Sequence, residues 1–224
     1  MPIYIIGASG HGKIVLDVLK ARREFFSGDT TTMPIPELYT DKIYFADQNS
    51  ELAGRYLNGH EILYMKTYAL SNVNFFFVAI GDNEARRKIY NELKSRDYPT
   101  DALASPFAYV SPEAAIGNGT LINHGVIVQP GVVIGENCII NTGVSIDHDS
   151  KISSHVHIAP GSTLCGNVTI GEGTFIGAGS IIRPGTEIGK NCFIQMGSIV
   201  TQNVPDNTTW KLVYRDNRLF GDLS

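Results

Sequence analysis

The chain has 224 residues, a formal net charge of −4, 43% hydrophobic and 18% charged residues, and 23 glycines. That length can bury a core without disulfides or metal, and the composition excludes disordered and fibrous classes. The acidic balance, with no Lys or Arg run longer than Arg86-Arg87-Lys88, argues against a nucleic-acid partner, because polyanion binding rests on a basic surface that releases counterions.

The N-terminus, Met1-Pro2-Ile3-Tyr4-Ile5-Ile6, has no basic segment and meets glycine at Gly7. It is expected to be neither a signal peptide nor a membrane span, which places the protein in the cytoplasm. Ile3–Ile6 reads as a strand, Gly7-Ala8-Ser9-Gly10-His11-Gly12 as a turn, and Lys13–Lys20 as an amphipathic helix with Val15, Val18 and Leu19 at helical spacing. The polar stretch Ser27–Thr40, with Pro34 and Pro36, reads as a surface loop. Lys42–Asp47 is a second strand, Asn74–Ile80 a third, and Glu84–Arg96 a helix capped by Asp82 or Asn83. Residues 1–105 therefore form a small Rossmann-like α/β domain, half of a dinucleotide fold.

The glycine turn lets backbone approach a ligand and aims helix amides at a phosphate or a sugar hydroxyl. A tight connection without a ligand would look the same. The spacing is not the full dinucleotide fingerprint, so a nucleotide-linked small molecule is expected rather than a redox cofactor. Asp47, at a strand end, could bind a ribose or uracil or could cap a turn.

The second half has a period of six. From Val110, steps of six give Ile116, Ile122, Val128, Ile134, Ile140, Ile146, Ile152, Ile158, Leu164, Ile170, Ile176, Ile182, Ile188, Ile194 and Val200, all aliphatic. Chance would give such a run roughly once in a million trials. The residue two before each is small, as at Thr120, Cys138, Ser150, Ser162 and Cys192. Two inward positions separated by two describe a short strand. Pro130-Gly131, Pro160-Gly161 and Pro184-Gly185 mark the corners. Three hexads make an 18-residue triangular coil whose strands pair in parallel ladders, about five coils in all. Residues 106–204 are thus a parallel β-helix and 205–224 a C-terminal tail. Cys138, Cys165 and Cys192 form no CxxC pair and read as free packing thiols.

The run Asn141-Thr142-Gly143-Val144-Ser145-Ile146-Asp147-His148-Asp149, with His157 beyond it, carries candidate chemistry. His148 takes the corner position that holds proline elsewhere, and Asn141 and His157 flank inward aliphatics, so all three point outward. Register alone leaves them open as solvated surface residues, and His124 shows that a corner histidine is not diagnostic. His148 and His157 are nine residues apart, half a circuit, and cannot line one site in one protomer. Asn141 and His157 are sixteen apart and share a side. Thr142, Pro160, Ala178 and Met196 stack there at intervals of 18, a straight track suited to an extended ligand. If the His148 corner and this track act together, the His148 corner of one chain abuts the Asn141–His157 side of another, which favours a homotrimer with sites between subunits.

The sixteen hexads resemble the hexapeptide-repeat acyltransferases, which implies a left-handed coil. Gly7-Ala8-Ser9-Gly10-His11-Gly12, Phe77-Val78-Ala79-Ile80-Gly81-Asp82-Asn83, Ile140-Asn141-Thr142-Gly143, Asp147-His148-Asp149 and Cys165-Gly166-Asn167-Val168 follow one another in an order similar to one bacterial family. These are the nucleotide-sugar N-acetyltransferases that make diacetamido-trideoxyhexoses, with their sialic acid O-acetyltransferase relatives. The resemblance implies acetyl-CoA as co-substrate, no metal, and a nucleotide-linked amino sugar as acceptor, for surface-glycan or glycoprotein-glycan biosynthesis. It implies His148 as general base with Asp149 tuning it, Asn141 meeting the substrate amine and His157 near the acetyl thioester. Ser9, Gly10, His11, Asp47, Gln48 and Gly81 would hold the nucleotide sugar, and backbone at Ala178 and Met196 would line the pantetheine path. The family commonly ends in a Gly-Val-Pro-Ala type tail that closes over the coenzyme, whereas this chain runs Val204-Pro205-Asp206-Asn207-Thr208-Thr209-Trp210.

The expected reaction is acetyl transfer to the amine of a UDP-4-amino-4,6-dideoxy-N-acetylhexosamine, with a backbone amide holding the oxyanion. O-acetylation of a sialic acid or other sugar hydroxyl would use the same machinery. A zinc enzyme like the γ-class carbonic anhydrases brings three histidines together at a subunit interface, but His124, His148, His155 and His157 lack that spacing. A scaffold that only trimerises would not need the Asn-Thr-Gly to Asp-His-Asp run.

Overall fold

The computed structural model describes residues 2–26, 42–65, 75–98, 100–215 and 218–223, with side chains to residue 211. The loop expected over Ser27–Thr40, and Asn74, lie outside the described residues. The chain divides into two units, Met1–Pro106 and Phe107–Ser224.

The first unit is built on a sheet of β1 (Ile3–Ile6), β2 (Ile43–Asp47), β3 (Tyr56–Leu57), β4 (His60–Tyr64) and β5 (Phe75–Val78), in the order β3-β4-β2-β1-β5. β1 lies parallel between β2 and β5, pairing Ile3 with both Ile43 and Phe75. All four of its residues are buried, as expected of a parallel strand covered on both faces. Tyr4 stacks on Tyr44 at 5.6 Å and on Phe76 at 5.5 Å. Helix α1 spans Gly10–Phe26 and buries Val15, Leu16, Val18 and Leu19. It is longer at both ends than the expected Lys13–Lys20. The Ser9 carbonyl accepts the Lys13 N–H at 3.1 Å, so Gly10-His11-Gly12 form the first helical turn instead of a loop. Helix α2 spans Asn83–Ser95, with Asp82 as its cap through Oδ1 to the Ala85 N–H at 2.8 Å. The hairpin β3–β4 turns on Asn58 and Gly59, both at positive φ (49° and 83°). That is the backbone a two-residue hairpin turn requires.

The second unit is a left-handed coil of two-residue strands in three parallel ladders. One runs from Tyr109–Val110 to Ile199–Val200, one from Ala115–Ile116 to Glu187–Ile188, and one from Leu121–Ile122 to Phe193–Ile194. Partners are 18 residues apart, as in Ile127↔Ser145 and Ile139↔His157. Every aliphatic from Ile122 to Val200 in the six-residue series is buried. The small inward positions carry hydroxyls that reach a corner carbonyl of the next coil, such as Thr120 to Gly135 at 2.7 Å and Ser162 to Gly177 at 3.0 Å. This satisfies the buried polar atom. Cys138 and Cys192 fill the same position as buried thiols, donating to the carbonyls of Ser153 at 3.1 Å and Pro205 at 3.0 Å, and Cys165 is half-buried.

From Gly119 to Gly197 each corner turns through the third residue after the aliphatic, which sits in the left-handed region, as at Gly131 (73°), Asn137 (54°), Gly143 (68°), Asp149 (60°), His155 (64°), Gly161 (68°) and Asn167 (58°). Glycine, asparagine and aspartate reach it at least cost. Past the last full coil Val204 bridges Ile188 and Thr209 pairs with Phe193, so the offset tightens from 18 to 16. Thr209–Arg215 and Arg218–Leu223 then form an antiparallel hairpin that continues the third ladder, with Trp210 buried.

Removing a methyl-rich side chain from this stack leaves a cavity that flat two-residue strands cannot close. Ile170→Ala, remote from the site below, is expected to cost about 3 kcal/mol in urea unfolding. An unchanged midpoint would contradict the inward stacking.

Candidate active site

The ladders decide which corner amides are available. The N–H of the second residue after each inward aliphatic makes no ladder bond, which is why proline is accepted at 130, 160 and 184. Where that residue is not proline, a preceding Asn or Asp can cap it. Asn123 Oδ1 accepts from His124 N–H at 2.9 Å, Asn141 Oδ1 from Thr142 N–H at 2.8 Å, and Asp147 Oδ1 from His148 N–H at 2.8 Å. The corner amides of Gly166, Ala178 and Met196 have no partner among the described residues.

His148 stands at such a corner with 54% of its side chain exposed, and Asp149 beside it with 61%. Nδ1 lies 2.9 Å from Asp149 Oδ2. With Nδ1–H donating to the carboxylate, Nε2 is the outward nitrogen that can accept a proton. The hydrogen bond to Asp149 raises the imidazole above its ordinary value of 6.5; desolvation opposes this, and the charges of Asp147 and Asp149 reinforce it. Glycines on the neighbouring coils make room for both groups. A methyl group on Gly166 would lie 2.6 Å from His148 Nε2, and one on Gly131 would lie 2.5 Å from Asp149 Oδ1. A cavity of about 370 Å³ adjoins the carboxylate, lined also by Lys151, Asn167 and Thr169.

Asn141 and His157 come together on another corner, with Asn141 Nδ2 3.5 Å from His157 Nε2 and Asn123 Nδ2 donating to Asn141 Oδ1 at 3.1 Å. Both point outward as expected, yet they are buried, at 6% and 5% exposure, where the register left them open as solvated residues. The reason is the outward row to which His157 belongs: Leu121, Ile139, His157, Phe175, Phe193. The imidazole meets Phe175 edge-on at 5.0 Å, and Phe175 stacks on Phe193 at 5.3 Å. The structure does not bring His148 to this pair, because the Ser145–Ile146 strand and its corner intervene. Thr142, Pro160, Ala178 and Met196 do stack in a column, each carbonyl of the first three accepting the N–H that follows the next member: Gly161 at 2.9 Å, Gly179 at 2.9 Å and Gly197 at 2.8 Å. Met196 is 69% exposed.

In the first unit Ser9, Gly10 and His11 follow β1, Asp47 and Gln48 end β2, and Gly81 follows β5. All lie at the carboxyl ends of adjacent parallel strands, where open α/β sheets bind ligands. Ser9, Gly10 and Gln48 are exposed. Asp47 works on the backbone: Oδ2 accepts from Ala8 N–H at 2.9 Å and Oδ1 from Asn49 N–H at 2.8 Å, fixing the turn before α1. His11 is half-buried with its ring over Gly81, and burial followed by the charge of Arg86 holds its pKa below 6.5. Arg86, which the sequence pattern did not single out, is fully buried. Among the described residues no group of three His, Cys, Asp or Glu is placed to hold a metal ion, and no helix is long and apolar enough to cross a membrane.

An α/β unit with its ligand loops at the strand ends, followed by a hexapeptide coil with an outward His–Asp pair, defines a two-domain acyltransferase. Residues 2–93 match the PglD N-terminal domain, residues 113–148 and 149–184 the bacterial transferase hexapeptide (six repeats), and residues 167–202 the hexapeptide repeat of succinyl-transferase. The acetyltransferase domain of PglB from Neisseria gonorrhoeae FA1090, in complex with acetyl coenzyme A, is 31% identical with a TM-score of 0.82, over 93% of this chain and 95% of that one. PerB from Caulobacter crescentus, in complex with CoA and GDP-perosamine, is 29% identical with a TM-score of 0.77, over 94% and 93%. WeeI from Acinetobacter baumannii AYE is 25% identical with a TM-score of 0.79, over 99% and 100%. The chain belongs to this family of hexapeptide-repeat sugar acetyltransferases with a PglD-type N-terminal domain.

The His148–Asp149 contact is open to direct measurement. In an NMR pH titration His148 should titrate above 6.5, and Asp149→Asn, which keeps the left-handed corner accessible, should bring the midpoint down. An identical midpoint in both proteins would contradict the hydrogen bond.

Proposed function

We propose that this enzyme transfers acetyl from acetyl-CoA to the amine of a nucleotide-linked amino sugar, with a UDP-4-amino-4,6-dideoxy-N-acetylhexosamine as the expected acceptor. The observation that carries the reading is the His148–Asp149 pair, whose Nδ1 is engaged and whose Nε2 faces outward over Gly166. The relatives lend support: PglB was solved with acetyl coenzyme A and PerB with CoA and GDP-perosamine, a nucleotide-linked amino sugar.

A thioester is already activated, so the site has to position a neutral amine and remove the proton lost on attack. His148 Nε2 accepts that proton while Asp149 orients the ring and stabilises the imidazolium, and the proton returns to the sulfur as the C–S bond of the tetrahedral intermediate breaks and CoA leaves as the thiol. The unpaired N–H of Gly166, one coil beyond His148, is suited to receive the developing oxyanion. Asn141 meets the amine and His157 lies near the thioester. The pantetheine arm follows the Thr142-to-Met196 column, where the unpaired amides of Ala178 and Met196 can donate to its carbonyls. Ser9, Gly10, His11, Asp47, Gln48 and Gly81 hold the nucleotide end, and Asp47 also shapes the turn beneath it.

The site is completed between chains. On the outward face of the first ladder, Tyr109 (55%) and Ile127 (41%) at one end and Ile181 (45%) and Ile199 (59%) at the other are exposed apolar side chains, with Ser145 and Thr163 between them. One edge of this face leads to the His148 corner and the other to the Asn141–Thr142 corner. Exposed apolar area of this kind marks an interaction surface. Three copies packed about a threefold axis through it would set the His148 edge of each against the Asn141–Thr142 edge of the next.

His148→Ala should lower turnover about a hundred- to ten-thousand-fold with acetyl-CoA binding retained in calorimetry; an undiminished rate would remove His148 from the mechanism. Co-expressing His148→Ala and Asn141→Ala chains should restore activity that neither has alone, because some interfaces then join two intact edges. No recovery in verified hybrid trimers, or a monomer in light scattering, would contradict the shared site.

A further inference from the structure

The one arginine placed wholly inside the first unit raises the question of what its charge is for. Arg86 lies in the second turn of the α2 region, is 0% exposed, and is among the largest fully buried side chains. A buried guanidinium is costly unless its donors are used in good geometry. Nη1 donates to the carbonyls of Ile80 at 3.1 Å and Gly81 at 3.2 Å, and Nη2 donates to Asn83 Oδ1 at 2.7 Å. Ile80 and Gly81 belong to the turn that joins β5 to α2, and Asn83 is the first residue of α2. The side chain therefore closes that turn from the inside. Because a trans peptide sets its N–H opposite its C=O, turning the carbonyls of Ile80 and Gly81 toward Arg86 turns the N–H groups of Gly81 and Asp82 away from it.

Gly81 in turn meets His11. A methyl group on Gly81 would lie 2.6 Å from His11 Cε1 and 3.0 Å from Nδ1, so the imidazole rests directly on the glycine backbone that Arg86 fixes. The chain of contacts runs from guanidinium to carbonyl, from carbonyl to glycine, and from glycine to ring. Its two ends differ in exposure: Arg86 is sealed in the core, whereas His11 sits in the first turn of α1 beside the exposed Ser9 and Gly10. The positive charge of Arg86 also helps to keep the half-buried imidazole below its ordinary pKa. Burial and this charge favour the neutral imidazole, which can both donate and accept hydrogen bonds.

We propose that Arg86 is a positioning residue for the nucleotide end of the acceptor, holding Gly81 and His11 in the arrangement that receives it. This rests on the nucleotide-sugar reading given above. Arg86 does not touch the ligand and acts only through Gly81 and His11, so its removal should weaken the acceptor selectively.

The test is steady-state kinetics on the full-length enzyme with both substrates varied, using a nucleotide-linked amino sugar that the wild type acetylates. Arg86→Met should raise KM for the acceptor at least about tenfold while KM for acetyl-CoA stays within about twofold. Arg86→Lys, which keeps a cation able to donate to the two carbonyls, should recover part of the loss. Gly81→Ala sets a methyl group against His11 while keeping the carbonyl that Arg86 bonds, and should reproduce the acceptor defect; if Arg86→Met does not fold, the acceptor KM of Arg86→Lys, expected between wild type and Gly81→Ala, supplies the arginine readout. An acceptor KM unchanged in folded Arg86→Met or in Gly81→Ala would overturn the inference and leave the acetyl-transfer reading intact. So would parallel rises in both KM values, the mark of a general loss of structure. A wild-type enzyme that acetylates no nucleotide-linked sugar would instead bring down the functional reading, and this inference with it.

Discussion

Everything in the second unit depends on the left-handed corner at every sixth residue. A chain of L-residues turns there only at a local cost that glycine largely escapes and asparagine lessens. What offsets that cost is the column of aliphatics the corner brings into register, each buried Ile, Val or Leu stabilising by about 1.5–3 kcal/mol. Because three corners make a circuit, any two residues 18 apart stack and any two nine apart are on opposed sides. Chemistry written along one strand of sequence is therefore spread around a prism, and the distance between functional side chains follows from counting.

Against that background Asp149 is a departure with a meaning. The fold gives its position to glycine or asparagine almost throughout, yet an acid is held there at φ 60°, one residue from an exposed imidazole it hydrogen-bonds. Residues kept in sparsely populated backbone regions cluster where function requires them. His155, also left-handed at 64°, is a contrasting case: it is buried, with Nδ1 2.8 Å from Asn137 Nδ2 one coil back, and belongs to the packing. The glycines at 131 and 166 are the counterpart of the pair, since side chains there would occupy the space of the carboxylate and the ring.

The coil was legible because its period repeats sixteen times in unbroken register, and the same register correctly joined Asn141 to His157 and separated both from His148. Burial of that pair was not legible, since what encloses His157 is Phe175, eighteen residues away, and not a sequence neighbour. In the first unit the strands were readable from their apolar runs. Helix α1 was read too short because Gly10 and Gly12 are poor helix formers, and only the Ser9 carbonyl and close packing override that preference. The β3–β4 hairpin rests on a single Asn58-Gly59 dipeptide between very short strands. Asp47 had two readings at sequence level, and its bonds to Ala8 and Asn49 show the carboxylate shaping the turn. Arg86 sits in Arg86-Arg87-Lys88, where composition alone makes all three look solvated.

The central claim is a transfer to nitrogen. It is tested most directly by mass spectrometry of the products formed when the wild-type enzyme is incubated with acetyl-CoA and a panel of nucleotide-linked amino and hydroxy sugars. The account predicts one acetyl group on the amino sugar, stable to mild alkali as an amide is. An alkali-labile ester on a hydroxy sugar, or no acetylated product from any amino sugar, would contradict it.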